Sequence, residues 1–150
     1  MKAKKPEPGK LISVDEQLCF SLYSAGLAMD KVYRRVLRPL QLTYPQYLVM
    51  QRLWENDGLT VSALGEKLFL DSATLTPLLK RLEAQGLVSR KRAAQDERQV
   101  VISLTASGRA LKEKAHDVQS AFFKATQCSA EELLDMKKQL EHLRAKLRGA

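Results

Sequence analysis

Apolar residues recur at helical spacing along most of this chain, and only two short stretches, Val88 to Arg92 and Val100 to Leu104, are strand-like instead. The clearest run of elements lies between Thr60 and Leu104. Thr60 suits a helix cap, and Val61, Leu64 and Leu68 follow at i, i+3 and i+7, a single buried stripe on a short helix. After a tight turn through Phe69 and Leu70, Asp71 suits the cap of a second helix. That helix turns Leu75, Leu78, Leu79 and Leu82 inward and leaves Ser72, Thr74, Thr76, Lys80 and Arg81 outside. Gly86 ends it. Pro77 removes a backbone donor, so the residues allow either a continuous helix or one that begins at Thr76 with Pro77 first. Val88 to Arg92 and Val100 to Leu104 read as a two-stranded hairpin, closed by a charged loop over 93–99 that holds Asp96, Glu97 and Arg98.

The flanks are helical. Ser13 and Glu16 form a capping-box pattern, which predicts a helix from Val14 to about Leu37, ahead of Pro39. Along it Leu18, Leu22, Ala25, Met29, Val32 and Val36 make a seam in steps of four and three, with Cys19, Tyr23, Gly26, Asp30 and Tyr33 beside it. Thr43, Tyr44 and Pro45 open another helix with Tyr47, Met50, Leu53 and Trp54 inward, stopped by Asn56, Asp57 and Gly58. Thr105 caps one long helix with Leu111, Ala115, Val118 and Phe122 on one face. Ser129 and Glu132 cap a last one, whose stripe of Leu133, Met136, Leu140, Leu143 and Leu147 is more than a domain this small can bury alone. A second copy of the chain is the expected cover.

The predicted fold is mainly α with a small β-hairpin, a single domain over 1–150. Residues 1–12 form a flexible basic arm, 13–38 and 105–148 supply dimerisation helices, and 43–104 form a winged helix-turn-helix. Two short helices joined by so brief a turn are the unit that sets its second helix in the DNA major groove. Hydroxyls at the helix start can bond phosphates or base edges, Lys80 and Arg81 supply cations, and Arg98 at the hairpin tip can enter a narrow minor groove. A twofold dimer would offer two such helices to half-sites about one DNA turn apart, hence a pseudo-palindromic operator in double-stranded DNA.

A net charge of +8 agrees with a polyanionic partner. No apolar run reaches membrane-spanning length and no signal-type segment follows the basic N-terminus, so a cytoplasmic protein without a membrane partner is expected. The two cysteines, Cys19 and Cys128, show no CxxC spacing, and His116 and His142 do not cluster with them, which argues against a zinc site. No cofactor is expected.

Tyr33 is the phenol best suited by type to steady a Cys19 thiolate, yet it lies fourteen residues on, about 21 Å along one helix. Two copies of the helix crossing antiparallel near Gly26 would set Cys19 of one against Tyr33 of the other. Packing roles for both tyrosines are the competing reading.

The stretches Gln17-Leu18-Cys19-Phe20, Leu42-Thr43-Tyr44-Pro45-Gln46-Tyr47, Leu70 to Glu83 and Asp96-Glu97-Arg98 resemble the organic hydroperoxide resistance regulators (OhrR) of the MarR family. The resemblance spans nearly the whole chain. It implies a winged-helix homodimer that represses a gene for a thiol-dependent organic hydroperoxide reductase and is not an enzyme. It implies that Cys19 senses the peroxide, that Tyr33 and Tyr44 bond it from the other subunit, and that Cys128 forms a disulfide with it across the dimer. It also implies a continuous helix through Pro77, and DNA contact from Ser72, Thr74, Thr76, Pro77, Lys80, Arg81, Asp96 and Arg98. Ala73 stands where the family usually has glycine. Phe20, Tyr47 and Met50 are expected to form an apolar pocket for the alkyl tail of an organic hydroperoxide. The alternatives are a regulator released by a small apolar or phenolic ligand, and a thiol peroxidase working through Cys19.

Overall fold

The structure is a computed structural model that describes Lys5 and residues 7–150. The arm expected over 1–12 falls partly on residues 1–4 and 6, which lie outside the described residues. Among the described residues seven α-helices and three short strands follow in chain order: α1 (Leu18–Val36), α2 (Tyr44–Glu55), β1 (Leu59–Thr60), α3 (Val61–Leu68), α4 (Ser72–Ala84), β2 (Val88–Arg92), β3 (Val100–Leu104), α5 (Ala106–Lys114), α6 (His116–Thr126) and α7 (Ala130–Arg148).

Side-chain caps start five of them. Thr43 and Gln46 close a reciprocal capping box on α2, Thr60 accepts from the Ala63 N–H on α3, Asp71 from Thr74 on α4, Thr105 from Gly108 on α5, and Ser129 pairs with Glu132 on α7. These bonds satisfy N–H groups that a helix start leaves unpaired. Helix α4 runs unbroken through Pro77. Its apolar stripe is buried as its spacing requires, with Leu75, Leu79 and Leu82 sealed against Leu64 of α3 and Leu53 of α2 in one core.

Three expectations need correction. The sheet has three strands, because Leu59 and Thr60 pair antiparallel with Ile102 and Val101, giving the order β1-β3-β2. The helix capped by Thr105 is two helices: at Ala115 the bonds Ala115 N–H to Lys112 C=O and Val118 N–H to Ala115 C=O replace the regular i to i−4 ladder. The Leu111, Ala115, Val118 and Phe122 face survives the break and packs on the core.

The third concerns α1. Ser13 makes no side-chain cap, and Val14–Glu16 form only a 3-10 turn. Gln17 is then extended (φ −85°, ψ 126°), so the α-helix starts at Leu18. Only its C-terminal half packs inward, with Tyr33 buried and α6 alongside. Leu18, Phe20, Leu22, Tyr23 and Leu27 are exposed, as are Phe123, Leu134, Met136, Leu140 and Leu147, and α7 has no buried residue. Among the described residues no helix is long and apolar enough to cross a membrane.

Candidate functional site

Two faces hold the candidate site residues. The first is α4 with the wing. Asp71 caps α4 through the Thr74 N–H at 2.8 Å, and that bond holds its carboxyl below the usual range. Ser72, Thr74, Pro77, Lys80 and Arg81 are exposed on α4, and Thr76 is half-buried. Since proline has no N–H, the Ala73 carbonyl one turn earlier has no partner in the helix ladder. At the wing tip, Asp96 accepts the Arg98 N–H at 3.0 Å, and the Ala93 N–H reaches the Gln99 carbonyl at 2.8 Å. Asp96 thus shapes the turn itself. The Arg98 side chain is 96% exposed and stands 3.8 Å from the Asp96 carboxylate, so it is free to leave for a stronger anion.

The α3–α4 corner is tight. Phe69 adopts the left-handed conformation (φ 57°), and Gly65 lets the chain return so closely that a β-carbon there would lie 2.7 Å from the Leu70 carbonyl oxygen. Two cations from the far end of α7 cover Phe69: the Arg144 guanidinium lies 3.9 Å from its ring centre and that of Arg148 5.1 Å. The end of the last helix therefore touches the helix-turn-helix corner through these two side chains.

The second face is the cysteine and its surroundings. Because α1 starts at Leu18, Cys19 is its second residue, exposed in the first turn of the helix. The helix start expected at Val14 would have denied it this position. Gln17, whose role the spacing gave no hint of, links Cys19 to the preceding segment: its Oε1 accepts from Cys19 Sγ at 3.7 Å and its Nε2 donates to the Ile12 carbonyl at 3.2 Å. Cys128 is half-buried just before the Ser129 cap of α7, with its Sγ 3.3 Å from the Thr126 carbonyl. Both cysteines are free thiols.

Tyr33 is gathered with other aromatics at the opposite end of α1. Its ring centre lies 4.2 Å from that of Tyr44, 4.6 Å from Phe122 in a stack and 6.3 Å from Tyr47. Burial pushes the Tyr33 hydroxyl well above its ordinary value, helped by the neighbouring Tyr44 and Tyr47 and opposed by a bond from Gln119. Tyr44 and Tyr47 are also raised, first by burial. The phenols are therefore neutral donors. Fourteen residues of α1, about 21 Å of helix, separate Cys19 from Tyr33 within one chain. The expected pocket is not assembled by one chain either: Phe20 is 41% exposed, but Tyr47 and Met50 are 1% and 0% exposed, core residues because neighbours cover α2 on both sides. Among the described residues no group of three or more His, Cys, Asp or Glu could hold a metal ion.

A family profile described as transcriptional regulator SarA/Rot matches residues 31–115. The organic hydroperoxide resistance transcriptional regulator of Bacillus subtilis (strain 168) is 49% identical over 129 residues, covering 86% of this chain and 88% of its own length. The chain belongs to the OhrR group of the MarR/SarA family. OhrR proteins are transcriptional regulators, not enzymes. Among solved structures, reduced AbfR bound to DNA is 37% identical with a TM-score of 0.76, covering 91% of this chain and 93% of its own. The disulfide-formed state of AbfR, a protein of Staphylococcus epidermidis, is also 37% identical, with a TM-score of 0.61 over 87% of this chain and 91% of its own.

Proposed function

We propose that this OhrR-type chain is a cytoplasmic, homodimeric DNA-binding repressor that organic hydroperoxides release by oxidising Cys19, freeing the promoter of a thiol-dependent organic hydroperoxide reductase gene. One observation carries the reading: Cys19 is exposed at the head of α1 while its candidate phenol partners are clustered at the other end of that helix. The two can meet only when α1 pairs with a second copy. The uncovered apolar faces of α1 and α7 supply a surface for that pairing.

In the reduced dimer, Tyr33 and Tyr44 of one subunit donate to the Cys19 thiolate of the other. The thiolate attacks the outer peroxide oxygen, the O–O bond breaks, and the sulfur keeps that oxygen as a sulfenic acid while the alkoxide leaves and takes up a proton. The partner's Cys128 thiol then condenses with the sulfenic acid, forming the disulfide and releasing water. Two equivalents of a small thiol reverse the bond. Phe20, exposed beside Cys19, favours an alkyl tail over hydrogen peroxide.

Release of DNA follows the path of α7. Cys128 directly precedes this 19-residue helix, about 28 Å long, whose other end holds Phe69 through Arg144 and Arg148. A bond that drags Cys128 therefore shifts a rod whose far end touches the corner that sets α4. The two α4 helices then no longer match successive major grooves, and Ser72, Thr74, Thr76, Pro77, Lys80, Arg81 and the wing's Asp96 and Arg98 lose their register on the operator. That AbfR has been solved both reduced on DNA and disulfide-bonded supports such a switch.

Non-reducing electrophoresis beside an operator-binding assay tests this. One equivalent of cumene hydroperoxide per thiol is expected to give a crosslinked dimer and free DNA, both reversed by dithiothreitol. Cys128→Ser should give no crosslink. A protein that leaves DNA on this treatment with both thiols still titratable contradicts the redox reading.

A further inference from the structure

Gln119 is a polar side chain at the tyrosine cluster that the redox chemistry above leaves without a part. It projects from α6, and its Nε2 donates to the Tyr47 hydroxyl at 3.2 Å. The same side chain stands near enough to the Tyr33 phenol, whose ring lies 6.3 Å from that of Tyr47, to oppose the effect of burial there. An amide nitrogen carries two protons, so one glutamine can serve two phenols.

The consequence lies in where the phenolic protons point. The Tyr33 ring cannot swing, being 4% exposed and held between Tyr44 and Phe122. What stays free is rotation of its O–H bond. A hydroxyl oxygen that already accepts an N–H turns its own proton away from that donor. With no such donor the hydroxyls can bond one another, and a proton spent inside the cluster is lost to an anion outside it.

We propose that Gln119 is a positioning residue for the sensing tyrosines: by donating into the hydroxyl end of the Tyr33–Tyr47 pair, it turns their protons outward toward the partner's Cys19. This rests on the thiolate–tyrosine reading above. Gln119 touches neither sulfur nor peroxide and acts through the phenols alone.

The test uses the full-length dimer in a Cys128→Ser background, where Cys19 is the only thiol. The readout is the rate at which that thiol disappears under cumene hydroperoxide, with operator affinity as the control for folding. Gln119→Leu, which loses the donor, should slow oxidation roughly fivefold, the worth of one ordinary hydrogen bond. Gln119→Glu keeps the shape but swaps donor for acceptor, drawing the phenolic protons inward, and should be at least as slow. Gln119→His, which keeps an N–H, should recover most of the rate, and Tyr33→Phe should be at least as slow as Gln119→Leu. If the Leu or Glu variant reacts at the parent rate while Tyr33→Phe is slow, the role of Gln119 is overturned and the tyrosine reading stands. If Tyr33→Phe also reacts at the parent rate, both fall.

Discussion

Cys19→Ser is expected to bind operator DNA as tightly as the unaltered protein and to stay bound through a dose of organic hydroperoxide that strips the unaltered protein off. The substitution is mild for the fold: Cys19 is exposed, and its one side-chain bond, to the Gln17 amide oxygen, is one a serine hydroxyl can make. It removes the sulfur proposed above to take up the peroxide oxygen. A conformational switch of this kind moves affinity by up to about 100-fold, so oxidised and unoxidised protein separate clearly in a fluorescence-anisotropy titration on a labelled operator. Release of the serine variant at the same dose would mean that another group does the sensing.

The largest effect on stability is expected at Gly108, where the wing, α2 and α5 meet. A β-carbon there would fall 2.0 Å from the Leu87 carbonyl oxygen and 3.3 Å from a Leu104 methyl. That oxygen already accepts the Thr105 N–H at 3.1 Å, so it is fixed backbone that cannot turn aside. The Gly108 carbonyl accepts the Trp54 indole N–H at 2.9 Å, and its N–H completes the Thr105 cap at 3.0 Å. Any shift that makes room for a methyl therefore strains three anchors at once. Gly108→Ala should cost at least about 3 kcal/mol, read as a lower denaturation midpoint at unchanged slope. A loss under about 1 kcal/mol would mean that α5 stands farther from the Leu87 carbonyl than this geometry has it.

The helix-turn-helix was legible because each of its helices combines a cap with a matching stripe: Thr60 with Leu64, Asp71 with Leu75, Leu79 and Leu82. Strand β1 was not, since two residues have no period and become a strand only by pairing with β3. Ser13 and Glu16 carry the right letters for a capping box, but Gln17 breaks the backbone between them and the helix, which moves Cys19 into the first turn. The stripe through Tyr47 and Met50 marks an inward face without saying whether core or cavity lies there, and here it is core. No Gly or Pro marks the break at Ala115. Gln119 follows Val118 on α6 with no spacing of its own, and only the fold brings it to Tyr47, seventy-two positions back.

The most direct test of sensing across two chains uses a mixed dimer, prepared with two affinity tags, in which one chain carries Cys19→Ser and the other Tyr33→Phe, both in the Cys128→Ser background. Its single Cys19 then has an intact Tyr33 only on the opposite chain. Oxidation of that thiol by cumene hydroperoxide at the rate of a Cys128→Ser dimer, counted per thiol, is the predicted result. A rate equal to that of the Tyr33→Phe homodimer would contradict it, because the thiol would then be answering to the tyrosine of its own chain.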